Sequence, residues 1–186
     1  MTHQPAAAVA LAVALAASAC SRSPDTSGPA PKTVASGTFH DAAGARTGVA
    51  TLTDTAGTLR LDLSASRLSP GPHGLHFHAV GVCTPPDFKS AGAHFNPEGK
   101  QHGRLNPEGP HLGDLPNIQA GADGSVDTSM TLPRDLITPG PRSLFQTSDT
   151  APGGAALVIH AGPDDERTDP SGNSGDRVAC AVIERS

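Results

Sequence analysis

The sequence contains no tryptophan and no tyrosine, and aromatic residues make up only 3% of it, so any core must be built from Val, Leu, Ile, Ala and five Phe. It has no surplus of positive charge either. Thirteen Lys and Arg stand against 18 Asp and Glu, for a formal charge of −5, and this leaves no basic surface to track a phosphate backbone, so nucleic acid is not expected as a partner. No stretch keeps helical periodicity over three turns, which excludes a helical bundle. There is no internal repeat, no Gly-rich phosphate loop and no Ser-centred nucleophile elbow, so solenoids, P-loop chemistry and serine hydrolysis drop out. The first twenty residues carry no Asp, Glu, Lys or Arg, and the longest apolar run, Ala6 to Ala19, is shorter than the ~20 residues a bilayer-spanning helix needs.

What the N-terminus does have is an Ala-rich run ending in Ala17-Ser18-Ala19-Cys20, which reads as an export signal over residues 1–20. Small residues directly before a cysteine resemble the processing site of bacterial lipoproteins, so Cys20 is the expected lipidated residue, facing the periplasm or the exterior. The n-region lacks Lys or Arg, and Ala17 stands where such sites usually have Leu. Residues 21–33 are rich in Ser, Pro, Gly and Ala and read as a flexible linker, with one folded domain over 34–186. The chain has three cysteines. In an oxidising compartment Cys83 and Cys180 are read as a disulfide, the alternative being two free buried thiols.

Within the folded part, 21 Gly and 18 Pro predict many turns. Short β-like stretches lie at Ser36–Asp41, Thr47–Thr53, Thr58–Ser64, Gly74–Val80, Asn117–Ala120, Ser125–Leu132, Ala155–His160 and Val178–Glu184. Asp54-Thr-Ala-Gly57 fits a hairpin connection, and Ser69-Pro-Gly-Pro72 reads as punctuation. About eight short strands predict an all-β antiparallel sandwich or barrel. Two long interruptions, Gly81 to Leu115 and Ala161 to Arg177, are candidate functional loops, whereas Pro133 to Pro152 reads as a plain connector.

The histidines carry the chemistry. His76 and His78 are two apart in a predicted strand, so both imidazoles project from one face. Alone that is a weak signal, which a pair of solvated histidines would explain. It is followed by His94, His102, His111 and Asp114, and then by His160 on a later strand. Imidazole suits copper and zinc, and three histidines with one carboxylate suit a closed tetrahedral zinc site. Seven ligands are one short of two four-coordinate sets, so one residue can serve both ions; imidazole, with two ring nitrogens, is the side chain able to do so. His40 is read as a surface residue and His73 as a structural hydrogen-bonder.

Four motifs, Gly71-Pro-His-Gly-Leu-His-Phe-His78, Ser90-Ala-Gly-Ala-His-Phe-Asn-Pro97, His111-Leu-Gly-Asp114 and Gly175-Asp-Arg-Val-Ala-Cys180, resemble the copper-zinc superoxide dismutase family. The resemblance runs from Val34 to the C-terminus. It implies an eight-stranded Greek-key β-barrel or sandwich with a long metal loop and a second active-site loop. It implies one copper held by His76, His78, His94 and His160, and one zinc held by His94, His102, His111 and Asp114. Cys83 would pair with Cys180. Asp164 would hydrogen-bond one copper and one zinc histidine, and Arg177, on the loop before the last strand, would face the substrate anion. The segment Asp164 to Arg177 is shorter than in many members, with Arg167 and no Lys.

The reaction implied is dismutation of superoxide to O₂ and H₂O₂ through copper cycling, with zinc structural and electrostatic and His94 giving a proton. The setting implied is protection of the cell envelope, and the sequence leaves monomer and homodimer both open. A copper or zinc buffer would use the same ligands but has no need of Arg177. A copper-delivery protein would offer further cysteine pairs, and a zinc-only β domain leaves His76, His78 and His160 unexplained.

Overall fold

The computed structural model describes residues 1–2, 30–146 and 154–186; Cys20 and the signal and linker readings up to residue 29 lie outside the described residues. The chain forms β1 (Lys32–Asp41), β2 (Arg46–Asp54), β3 (Leu59–Ala65), β4 (Gly71–His73), β5 (Leu75–His78), β6 (Ile118–Ala120), β7 (Val126–Leu132), β8 (Ala156–His160), β9 (Arg177–Val182) and β10 (Glu184–Arg185). Strands β1 to β3 alternate in burial, Leu59, Leu61 and Leu63 facing inward while Arg60 is exposed, because successive side chains leave a strand on opposite faces.

Their hairpins are set by Asx turns. Asp41 Oδ1 accepts the amides of Ala43 (3.0 Å) and Ala45 (2.9 Å), and Asp54 Oδ1 accepts that of Ala56 (3.1 Å). The antiparallel sheet runs β5-β8-β9-β1-β2-β3-β7, with β10 also on β1, and β4 and β6 form a separate pair. Chain order and sheet order part company after β3, after β5 and after β7; these crossovers wind the curled sheet into the expected Greek-key half-barrel.

The eight anticipated strands are all present, with two differences. Gly71-Pro72-His73 is not mere punctuation but β4, paired with β6 in the register Gly71–Ala120, Pro72–Gln119 and His73–Ile118. The last anticipated strand breaks in two, because Val182 is the final residue paired with Ala156 of β8, after which Glu184 and Arg185 pair with Ser36 and Ala35 of β1. β1 begins at Lys32, inside the segment read as linker.

The main core holds Phe39, Leu52, Leu61, Phe77, Leu157 and Ile159, all fully buried; each such side chain contributes ~1.5–3 kcal/mol. The connector after β7 is more than a plain one. Leu136 and Leu144 are buried in that core, and Arg134 meets Asp54 at 2.7 Å. Residues 147–153 of it lie outside the described residues.

Candidate metal centre

Strands β5 and β8 are fully buried on both faces. In β5, Leu75 and Phe77 enter the main core, so His76 and His78 point to the other side of the sheet. There Ala156 and Val158 of β8 form a second, smaller cluster with Phe88, Ala91 and Cys180. The pairing of β5 with β8 places His76 beside Val158 and His78 beside Ala156, and the shift in register after Ile159 sets His160 opposite Arg177.

The free edge of β5 is covered by the long loop. Isolated bridges pair His76 with Asp114 and His78 with His94, supported by Phe77 N to Gly113 O (3.0 Å) and Phe95 N to Phe77 O (2.8 Å). Backbone pairing thus delivers loop residues to the strand that already presents two imidazoles. All seven anticipated ligands come together in two buried quartets, His76, His78, His94 and His160, and His94, His102, His111 and Asp114.

In the first quartet each histidine other than His94 spends one ring nitrogen on a protein acceptor. His76 Nε2 donates to Asp164 Oδ2 (2.8 Å), His78 Nδ1 to Gly92 O (2.9 Å) and His160 Nδ1 to Gly175 O (3.1 Å). A carbonyl or carboxylate oxygen can only accept, so the proton sits on that nitrogen and the lone pair on the other. The other nitrogens, His76 Nδ1, His78 Nε2 and His160 Nε2, are buried without a hydrogen-bond partner, as is His94 Nε2.

Burial drives His78 well below its ordinary pKa, His94 to about 4 against the opposing pull of Asp114, and His160 to about 3, with His76 adding to the last. Four imidazoles, each with a buried ring nitrogen left unmatched and all within 4.8 Å of one another, fit a soft or borderline metal ion.

The second quartet converges on Asp114. Asp114 Oδ1 lies 2.9 Å from His94 Nδ1, 3.0 Å from His102 Nδ1 and 3.3 Å from His111 Nδ1, and His94 Nδ1 is 3.4 Å from His111 Nδ1. A tetrahedron with ligand bonds of ~2.0–2.1 Å has edges of roughly 3.3 Å, so these separations match the outline of a zinc site. Asp114 Oδ2 is already taken by the amides of Gly103 and His111, both at 2.9 Å, which leaves Oδ1 as the donor. Burial works to raise Asp114 and Asp164, but hydrogen bonds to His102 and to His94 or His76 outweigh it and hold both below the ordinary carboxylate range. Burial likewise works against charge on His102, and the flanking Asp114 and Asp164 carboxylates reverse that, to about 9.

Asp164 stands where it was anticipated, on His76 Nε2 (2.8 Å) and His102 Nε2 (3.0 Å). Cys83 and Cys180 are disulfide-bonded. Arg177 differs from expectation in place: it opens β9 and does not sit on the preceding loop. Its guanidinium is half-buried and donates to Phe88 O (2.8 Å) and Gly92 O (2.7 Å), not to Asp176, and it lines a pocket of about 450 Å³ that reaches His94 and His160. His40 is exposed, and His73 is buried with Nδ1 on His160 O (2.6 Å) and Nε2 on Ser69 O (2.7 Å), as anticipated for a structural residue.

Sequence reasoning missed two supports. Asn117 clamps the backbone of Asp164 in both directions, its Nδ2 donating to Asp164 O and its Oδ1 accepting from Asp164 N, each at 2.8 Å. Gly172 passes so close to Asp164 and His102 that no side chain fits. Neither belongs to a ligand-type residue class, so composition gave no signal.

Residues 46–183 match the family model described as copper/zinc superoxide dismutase. The chain is similar to the Cu-Zn superoxide dismutase 1 of Aquifex aeolicus, 47% identical over 142 residues that cover 75% of this chain and 81% of the relative. It is similar to the Cu-Zn superoxide dismutase of Caulobacter vibrioides, 44% identical over 138 residues, 73% and 77% of the two chains. The crystal structure of a SOD-like protein from Bacillus subtilis superposes with a TM-score of 0.71 at 39% identity, over 79% of this chain and 96% of that one.

Proposed function

The chain belongs to the copper/zinc superoxide dismutase family, and on that premise we propose that His76, His78, His94 and His160 hold copper while His94, His102, His111 and Asp114 hold zinc. The activity is disproportionation of superoxide to O₂ and H₂O₂. The carrying observation is the set of buried ring nitrogens left without hydrogen-bond partners, each on a histidine whose other nitrogen is already fixed or faces the second quartet. Bound there, copper would supply one-electron chemistry through its two accessible oxidation states.

The protein's residues supply the rest. His94 presents Nδ1 to the zinc quartet and Nε2 to the copper quartet, so one ring couples the two, and Nε2 is the atom placed to hold and release a proton beside the substrate pocket. Asp164 fixes the planes of His76 and His102 together. Arg177, pinned by two carbonyls at the pocket wall, offers an anion a positive charge in a fixed place. Metal analysis with a superoxide-consumption assay on the purified protein tests this: one copper and one zinc per chain with turnover is expected, and full loading without turnover would make the protein a metal buffer.

We further propose that the protein works in the cell envelope, tethered through Cys20 and shielding that compartment from superoxide. The Ala6–Ala19 run before Cys20 supports this, as does a disulfide of the type that persists in oxidising compartments. Cys20→Ser should move activity from the membrane to the soluble fraction; wild-type protein already soluble and lipid-free would refute the anchor.

A further inference from the structure

Two separate openings adjoin the metal quartets, and they share no lining residue. The pocket beside Arg177 and Lys89 reaches His94 and His160. A second cleft, of about 420 Å³, reaches His111 and Asp114. Its lining includes Leu112, Leu115 and Leu136 together with Lys100, Arg104, Arg142 and one carboxylate besides Asp114, that of Glu98. The cations are not equally engaged. Arg104 meets Glu166 at 3.2 Å, and Arg142 meets Asp135 at 2.7 Å and also Glu98. Lys100 is exposed and paired with no carboxylate among the described residues. The cleft therefore combines apolar surface with a single unpaired cation, Lys100, on its rim.

The loop that carries His102 and His111 is stitched firmly on one side. Asn106 Nδ2 donates to His102 O (2.9 Å) and Arg167 O (3.2 Å), and Leu105 N donates to Glu166 O (2.9 Å). Across the cleft it is joined to the connector after β7 by the Glu98–Arg142 ion pair, whose side chains are 41% and 34% exposed. Pairs exposed to that degree contribute ~0–1 kcal/mol, so this joint is far weaker than the stitched side.

We propose that this cleft is the exchange route of the zinc quartet, latched by Glu98–Arg142, with Lys100 the free cation at its rim. A small aromatic dicarboxylate serves as the probe, because it binds zinc, suits apolar walls and carries charge opposite to Lys100. The proposal rests on the zinc assignment made above. Zinc leaves and enters beside His111, independently of the copper pocket, and Lys100 draws the anion in.

The test uses the metal-loaded full chain and pyridine-2,6-dicarboxylate, with zinc and copper remaining on the protein measured by elemental analysis after rapid desalting. Glu98→Gln should speed zinc release by up to about fivefold, the factor corresponding to the loss of one exposed ion pair, and Arg142→Gln, which also loses the pair with Asp135, by at least as much. They change the rim charge in opposite senses, so acceleration in both isolates the latch from electrostatics. Lys100→Glu should slow release and weaken its dependence on ionic strength, while copper stays bound throughout. Unchanged release in both latch variants overturns the route, and so does zinc release governed instead by Lys89→Glu or Arg177→Ser at the other pocket. If the purified protein holds no zinc, the assignment itself fails, which metal analysis shows before any chelator is added.

Discussion

Replacing Gly172 with alanine isolates the contribution of one carboxylate to both metal quartets. A methyl at Gly172 would overlap Asp164 Oδ1, lying 2.6 Å from its Cγ and 2.7 Å from His102 Nε2, and Gly172 has φ +63°. Asp164 must then move, and His76 Nε2 and His102 Nε2 lose their common acceptor. Gly99→Ala is the matched control: Gly99 has φ +64° but nothing within 4 Å of the added methyl. Both variants incur the left-handed backbone cost of ~1–2 kcal/mol. Only Gly172→Ala also loses two charge-assisted hydrogen bonds, at about 1.5–3 kcal/mol each.

For a domain of this size, ~1 kcal/mol corresponds to a Tm change of about 2–4 °C. The control should therefore fall by a few degrees and Gly172→Ala by roughly 10 °C or more, with metal affinity ~10- to 100-fold weaker. Calorimetry of the metal-free proteins, together with copper and zinc titrations, measures both quantities. If Gly172→Ala melts within 2 °C of the control, on the order of half of 1 kcal/mol, and titrates like it, then Asp164 does not orient the two histidines.

Three further outcomes follow. Arg177→Ser should lower kcat/KM by about one order of magnitude and flatten its dependence on ionic strength with metal content unchanged, as measured by pulse radiolysis across a salt series; full activity would place the guiding charge elsewhere. Metal-free protein should lose stability as pH falls from about 6.5 toward 4, because unfolded histidines take up protons that His78, His94 and His160 refuse in the fold. The slope is on the order of 1.4 kcal/mol per pH unit for each proton. His102, raised to about 9, contributes stability that is constant below 6.5 and lost progressively as pH rises from 6.5 to 9, so it does not mask this window; flat denaturant midpoints between pH 6.5 and 4 would count against neutral imidazoles. Reducing Cys83–Cys180, which are 97 residues apart, should cost about 4–5 kcal/mol by the chain-entropy argument, and an unchanged chemical-denaturation midpoint under reductant would show that the reduced chain keeps the loop closed by other means.

The ligands were legible because chemistry concentrates in residue type: His76, His78, His94, His102, His111, Asp114 and His160 announce themselves by kind and spacing. The strands were legible wherever alternation ran long enough, as in β3. β4 escaped because three residues containing a proline leave no pattern to read, and its partner β6 lies more than forty residues away. Asn117, Gly172 and the Glu98–Arg142 pair escaped for another reason. Their roles come from what the fold sets beside them, an Asp164 backbone, a carboxylate and a facing connector, and no local pattern encodes a neighbour that distant. Arg177 was legible as a charge but not as a tethered one, because its acceptors are main-chain oxygens of a loop 85 and 89 positions earlier.

The four residues Leu75-His76-Phe77-His78 face two ways, Leu75 and Phe77 into the barrel and His76 and His78 out of it. A slip of one position against β8 would turn imidazoles into the oily interior and leucine toward the ions. Alignment during folding and competence for chemistry are thus settled by one event, and a mispaired chain is also a chain that cannot load metal. Copper and zinc in the growth medium would then act as proofreaders of strand pairing, withdrawing correctly aligned molecules from the folding pool and leaving the misaligned ones for proteolysis.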